Sequence, residues 1–225
     1  MTNLVEVGDK ELDALRIRVP RRGRGVYSRG LKRIFDFFLV LAAMPFVLPF
    51  IALVALLIAT DGSAPFFRQE RVGQHGRRFL IWKFRTMVPN AEALLATCLA
   101  SSPEAQREWD AKQKLSNDPR CTAIGRVLRR TSMDELPQLL NVLTGEMSLV
   151  GPRPMLPNQQ SLYPGHAYYR LRPGITGSWQ VSARNESEFQ SRALYDDQYA
   201  TKLSFLTDLK ILARTVVVVL RRTGV

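Results

Sequence analysis

Asp134 and Glu135 are adjacent carboxylates placed directly after Arg129-Arg130-Thr131-Ser132-Met133 and before Leu136-Pro137. Two compatible readings follow. In the first the segment is a helix start, with Ser132 and Glu135 as a capping box or Asp134 as the cap, and Pro137 early enough to be tolerated. In the second the helix start aims both acids at one point, and its dipole and the two arginines keep them ionised. Adjacent carboxylates divide labour well, one attacking phosphorus and the other holding Mg²⁺. Gly151-Pro152-Arg153-Pro154 fixes an arginine between two prolines, which presets the direction of a guanidinium suited to phosphate. Arg172-Pro173-Gly174-Ile175-Thr176-Gly177 has the same character, with glycines that let a ligand approach the backbone. On Trp82-Lys83-Phe84-Arg85, strand alternation places Lys83 and Arg85 on one face. Taken singly, the two loops also read as surface turns and the strand as a solvated face.

Other chemistries are excluded by composition. Cys98, Cys121, His75 and His166 are the only cysteines and histidines, so neither a disulfide framework nor a zinc cluster is available, and a metal must sit on carboxylates. The net charge of +12 points to anionic partners. Beside a membrane segment, lipid and phosphate are favoured over nucleic acid.

That segment is the unbroken apolar run Phe37 to Ala59. As a straight helix it measures ~34 Å, just enough to span ~30 Å of hydrocarbon. Pro45 and Pro49 lie near its centre, and arginines and lysines, Lys32 and Arg33 among them, crowd both flanks. A span is basic mainly on its cytoplasmic side. The run therefore reads as a re-entrant helix sharply bent at its prolines, with a kinked single-pass anchor as the alternative. It starts too late and is too long for a signal peptide, and is expected to be retained.

The rest of the chain suffices for one domain. Residues 1–30 read as a mobile tail, acidic and then basic, ending at lipid headgroups. Residues 31–60 form the anchor and 61–225 the domain. Within it, Pro65 to Gln69 and Arg78 to Lys83 flank a glycine-bearing loop, a hairpin pattern. One or two helices follow from Asn90 to Leu115, broken around Ser101-Ser102-Pro103. Ile124, Val127 and Leu128 mark the buried side of a short helix, and Leu136, Leu139, Leu140 and Leu143 a second that Gly145 closes. A last helix, Leu203 to Arg222, belongs either to the core or to the membrane surface.

Taken together these segments resemble a known family. Lys32-Arg33-Ile34-Phe35-Asp36, the proline-bearing apolar helix, Lys83-Phe84-Arg85-Thr86-Met87, Asp134-Glu135-Leu136-Pro137-Gln138, Asn141-Val142-Leu143, Met147 through Pro154 and Arg172 through Gly177 occur in order. In that order they are similar to the bacterial sugar transferases, monotopic polyprenyl-phosphate phosphoglycosyl transferases. The resemblance implies an α+β fold: a small, mostly helical cytoplasmic domain with a β-hairpin, anchored to the inner membrane by the proline-broken re-entrant helix carrying Lys32, Arg33, Asp36, Pro45 and Pro49. It implies Mg²⁺-dependent transfer of a sugar 1-phosphate from a UDP-sugar to undecaprenyl phosphate, releasing UMP and starting an exopolysaccharide, capsule or O-antigen. Asp134 then corresponds to the nucleophile and Glu135 to its metal-binding partner. Arg129 and Arg153, with Lys83 and Arg85, are expected at substrate phosphates, and Arg172, Gly174 and Thr176 in a nucleotide-sugar loop. Some members break the membrane helix at Ser-Pro where this chain has Leu48-Pro49. Larger members carry further helices and a domain ahead of the shared part, so a minimal form is expected. The rival from another class, a membrane-anchored basic adaptor, explains the charge and the anchor but not adjacent acids beside two proline-restricted arginine loops. Neither the sugar nor the oligomeric state is encoded in any of these motifs.

Overall fold

The computed structural model describes residues 25–112, 115, 118–182 and 189–220. Most of the expected tail, residues 1–24, and Arg221 and Arg222 lie outside the described residues. A π-helical turn, Tyr27–Leu31, leads straight into α1, Lys32–Ala59, so helix begins within the segment read as tail. The helix is assigned continuously through both Pro45 and Pro49. Each proline removes one donor, and Met44, Val47 and Ile51 on either side are held against the domain.

This packing runs the length of α1. Asp36, Val40, Met44, Ile51, Val54 and Ile58 are buried, and with Val47 they form one stripe at three- and four-residue spacing. The opposite face, with Phe38, Leu41, Phe46 (82% exposed), Leu53 and Leu56 (70%), is bare. Polar clasps fix both ends. Lys32 Nζ and the Tyr27 and Tyr199 hydroxyls converge on the fully buried Asp208 carboxylate at 2.5, 2.7 and 2.7 Å. Arg33 donates to the carbonyls of Val142 and Leu143, and Ser148 Oγ donates to Asp36 at 2.5 Å. At the far end Arg85 reaches Asp61 at 2.6 Å and the Ile58 carbonyl. Lys32, Arg33 and Asp36 thus fasten α1 to the rest of the chain.

Beyond α1, strands β1 (Phe66–Val72) and β2 (Arg78–Phe84) pair antiparallel as the expected hairpin. Helices α2 (Ala91–Ser101) and α3 (Pro103–Lys112) break at Ser102, as expected. Next come α4 (Ala123–Thr131), a 3-10 segment Met133–Gln138, and α5 (Leu139–Thr144), closed by Gly145 at φ 88°. The buried side of α4 is Gly125 and Leu128, whereas Ile124 (40% exposed) and Val127 (61%) face outward, against the sequence expectation. Gly125 explains this, because a Cβ there would meet the Thr86 carbonyl oxygen at 2.1 Å. The helix lies on the chain by its backbone, and that contact fixes its rotation.

A short parallel pair, β3 (Ser148–Val150) with β4 (Gly174–Thr176), precedes the last helices α6 (Arg192–Lys202) and α7 (Phe205–Leu220). The main core joins Val40 and Met44 of α1 to Phe79, Ile81, Val142 and Met147. A second cluster joins Ile51, Val54 and Ile58 to Phe84 and Leu128. Among the described residues, α1 is the one helix long and apolar enough to cross a membrane.

Candidate active site

The carboxylate pair is positioned by a tight turn. Ser132 closes α4 in the left-handed region, at φ 56°, and its N–H returns to the Arg129 carbonyl. It makes no side-chain cap, so the expected capping box is absent. The reversal drops the chain directly into the 3-10 segment, whose first turn carries Asp134 and Glu135, both buried. That segment packs against β2, and Asn141 of α5 holds the strand edge alongside, accepting from the Trp82 N–H at 3.0 Å and donating to the Leu80 carbonyl at 2.9 Å.

Strand register sets the first cation. Ile81 enters the core, and Lys83, two residues on, shares its face at the end of β2. Lys83 Nζ lies 2.8 Å from Glu135 Oε1 and 3.7 Å from Asp134 Oδ2. Arg153 donates to the same Glu135 oxygen at 3.3 Å. Burial pushes the Asp134 carboxyl up from its ordinary range, opposed by Lys83, while Glu135 adds repulsion and Arg129 and Arg153 attract. All five groups line one cavity of about 560 Å³, a size typical of small-ligand sites. Arg129 also donates to Cys121 Sγ at 2.9 Å and lies 3.8 Å from Asp118.

The sequence expectation separates into residues that converge and residues that do not. Asp134, Glu135, Lys83, Arg129 and Arg153 come together. Arg85 borders the cavity, but its guanidinium is engaged by Asp61 at 2.6 and 2.8 Å and by nearby carbonyls, which ties the hairpin to the end of α1. Arg172 donates to the Gly145 carbonyl at 3.0 Å and lines a second cavity, of about 360 Å³, with Arg33 and Asp36. Thr176 is buried against Thr215 of α7, Oγ1 to Oγ1 at 2.7 Å. Gly174 borders the main cavity, and its backbone has another task as well. A Cβ there would meet the Gly151 nitrogen at 2.1 Å, and the Gly174 N–H donates to the Pro152 carbonyl at 2.8 Å. The Arg172–Gly177 loop is thus the backing of the Gly151–Pro154 loop, and it holds Arg153 in place from behind.

Arg71, near the end of β1, and Arg192, the first residue of α6, are cavity-lining cations that no motif signalled. Among the described residues no group of three or more His, Cys, Asp or Glu side chains is arranged to hold a metal. Asp134 and Glu135 nevertheless offer the hard oxygen donors with which Mg²⁺ is held when water and substrate phosphate complete its shell.

Comparison with known proteins bears on this arrangement. Residues 27–222 match the family described as bacterial sugar transferase. The chain is 45% identical over 199 residues to the UDP-galactose-lipid carrier transferase of Erwinia amylovora, and 43% identical over 199 residues to the undecaprenyl-phosphate galactose phosphotransferase of Salmonella typhimurium. Each alignment covers 88% of this chain and 42% of the relative, so the chain spans less than half the length of these two. With the exopolysaccharide production protein ExoY of Rhizobium meliloti it shares 43% identity over 188 residues, 82% of this chain and 83% of that one.

Proposed function

The chain belongs to the bacterial sugar transferase family, and from that premise we propose that its main cavity transfers a sugar 1-phosphate from a UDP-sugar to undecaprenyl phosphate, releasing UMP. The observation that carries this reading is the buried Asp134–Glu135 pair set among Lys83, Arg129 and Arg153 in one cavity. A carboxylate attacking a diphosphate must overcome repulsion between anions, and fixed cations at the developing charge lower that barrier. Asp134 attacks the sugar-bearing phosphorus and forms a phosphosugar-aspartate. Its burial favours the attack, since a poorly hydrated carboxylate is the more reactive base. Lys83 and Arg153 both donate to Glu135 Oε1, which holds that carboxylate in place, and their remaining N–H groups serve the phosphates. Glu135 and Asp134 fit a Mg²⁺ ion, which when bound supplies neutralisation of diphosphate charge.

The placement of α1 supports the membrane half of the reading. Its buried stripe touches the domain from Asp36 to Ile58, so both ends of the helix lie on one body while the bare apolar face is left for lipid. A helix held in this way lies in one leaflet and keeps the cavity on the cytoplasmic face, at headgroup depth. There a soluble nucleotide sugar and a lipid phosphate can both reach it. The deciding experiment incubates the full chain, in detergent or nanodiscs with Mg²⁺, with a panel of UDP-sugars. UMP release and a phosphosugar mass adduct on the intact protein are expected. Asp134→Asn should lose both, with release reduced at least about 1,000-fold. Wild-type-like release by Asp134→Asn would reject the covalent role.

A further inference from the structure

Arg71 and Arg192, both half-buried, line the same cavity as the carboxylates. Their Nε groups are buried without a hydrogen-bond acceptor. Arg71 gives one terminal N–H to the neutral Gln69 side chain at 2.6 Å. The Arg192 guanidinium lies 4.2 Å from the Trp179 ring centre and 4.7 Å from that of Phe189, which fixes its plane, and Asp196 attracts it. Burial, followed by repulsion from Arg153, lowers the pKa of both to about 10, so both stay charged at neutral pH. Glu135 attracts Arg71 and Asp196 attracts Arg192, but Glu135 is shared with Lys83 and Arg153, and half-buried guanidiniums in excess of carboxylates are costly unless a further anion joins them.

We propose that Arg71, Arg153 and Arg192 form a phosphate subsite, occupied first by the phosphate of the departing UMP and then by that of the lipid acceptor. The assignment rests on the phosphosugar-transfer reading above and adds the position of the leaving group to it. Arg153 donates to Glu135 and lines the same cavity as the two further arginines. A diphosphate with one phosphorus at Asp134 therefore extends its second phosphate toward Arg71 and Arg192. Phosphoryl transfer places the attacking and leaving oxygens in line, on opposite sides of phosphorus. As the Asp134 oxygen–phosphorus bond forms, the anhydride bond breaks and its electron pair leaves on the UMP phosphate, with no proton transferred. In the second half a lipid-phosphate oxygen attacks the same phosphorus and the Asp134–phosphorus bond breaks, restoring the carboxylate. The in-line requirement places this incoming oxygen where the UMP oxygen had been. One subsite therefore serves both phosphates in turn.

The test uses the full chain in detergent and measures UMP binding by calorimetry, together with discharge of the isolated phosphosugar-enzyme by undecaprenyl phosphate. Arg71→Gln and Arg192→Gln should each weaken UMP binding tenfold or more and raise the lipid-phosphate concentration needed for discharge by a similar factor. Arg78→Gln, which removes an exposed arginine paired with Glu70, should change neither. UMP should inhibit discharge competitively against lipid phosphate. Should a Gln variant unfold, Arg71→Lys and Arg192→Lys keep the charge without the planar fork and should show a smaller loss in both assays. UMP binding within twofold of wild type in the folded variants would overturn the subsite. Loss of UMP binding alone, or non-competitive inhibition, would overturn its sharing with the lipid. Wild-type protein that releases no UMP from any UDP-sugar would instead reject the functional reading, and the subsite with it.

Discussion

Arg153 is held by the loops behind it and donates to Glu135, so its value lies in the direction of its fork as much as in its charge. Arg153→Lys keeps the charge and loses the second donor. UMP release should fall roughly 10- to 100-fold, with the melting temperature unchanged; a fall within a few-fold would mean that Arg153 acts only as a diffuse charge. Asp196, outside the catalytic pair, is pushed up to about 7 by burial, although Tyr163 donates to it at 2.7 Å and Arg192 attracts. Its folded pKa lies above the unfolded value of about 3.9, so the folded state holds the proton more tightly and this group's contribution to stability falls as pH rises from about 4 to about 7. Asp196→Asn removes the titration. The melting temperature of wild type minus variant should decline across that window and level off above it, and a flat difference would show that Asp196 is ionised throughout. Sequence served this scale unevenly. The carboxylate pair and Arg153 could be read because neighbours in the chain restrict them. Arg71 and Arg192 could not, since only the fold brings Arg71 to the cavity of Arg153 and sets Arg192 against Trp179. Arg85 and Arg172 looked like phosphate ligands for the same reason: Asp61 and the Gly145 carbonyl become their partners only when the chain folds.

Elements with clear periodicity were legible. The hairpin, the break between α2 and α3, and the α5 stop at Gly145 all follow from local residue chemistry. The parallel pair β3–β4 was not, because three-residue strands carry no repeat to detect. The rotation of α4 was hidden for a related reason, because it is set by the close approach of Gly125 to Thr86. That unseen strand pair is what positions Arg153. Gly174→Ala would force a methyl to 2.1 Å from the Gly151 nitrogen and 2.5 Å from the Thr176 oxygen, both of them backbone. Overpacking of this kind costs about 1–3 kcal/mol, so the melting temperature should drop by several degrees. UMP release at a temperature where the variant remains folded should fall further than Gly174→Ala unfolding explains. Wild-type turnover in a destabilised protein would separate the loop from the site.

For the molecule as a whole, α1 belongs both to the core and to the proposed membrane surface. In a background lacking Cys98 and Cys121, Gly25→Cys and Ser63→Cys report on the two ends of this helix. Both should resist a membrane-impermeant thiol reagent in intact cells and react after lysis. Labelling of Gly25→Cys from outside would establish a span and overturn the one-face topology without touching the catalytic assignment. The shared stripe also has a consequence for biosynthesis. The residues that cover Val40 and Met44, namely Phe79, Val142, Met147 and Ile211, are all translated after α1. So is Asp208, which receives Lys32. On the proposed membrane placement the nascent helix therefore meets lipid on all sides before its docking surface exists, and completing the domain draws one face out of the bilayer. Folding is then a partial extraction as well as a collapse, and a chain refolded without lipid or detergent would have to bury the stripe while its bare opposite face drives aggregation.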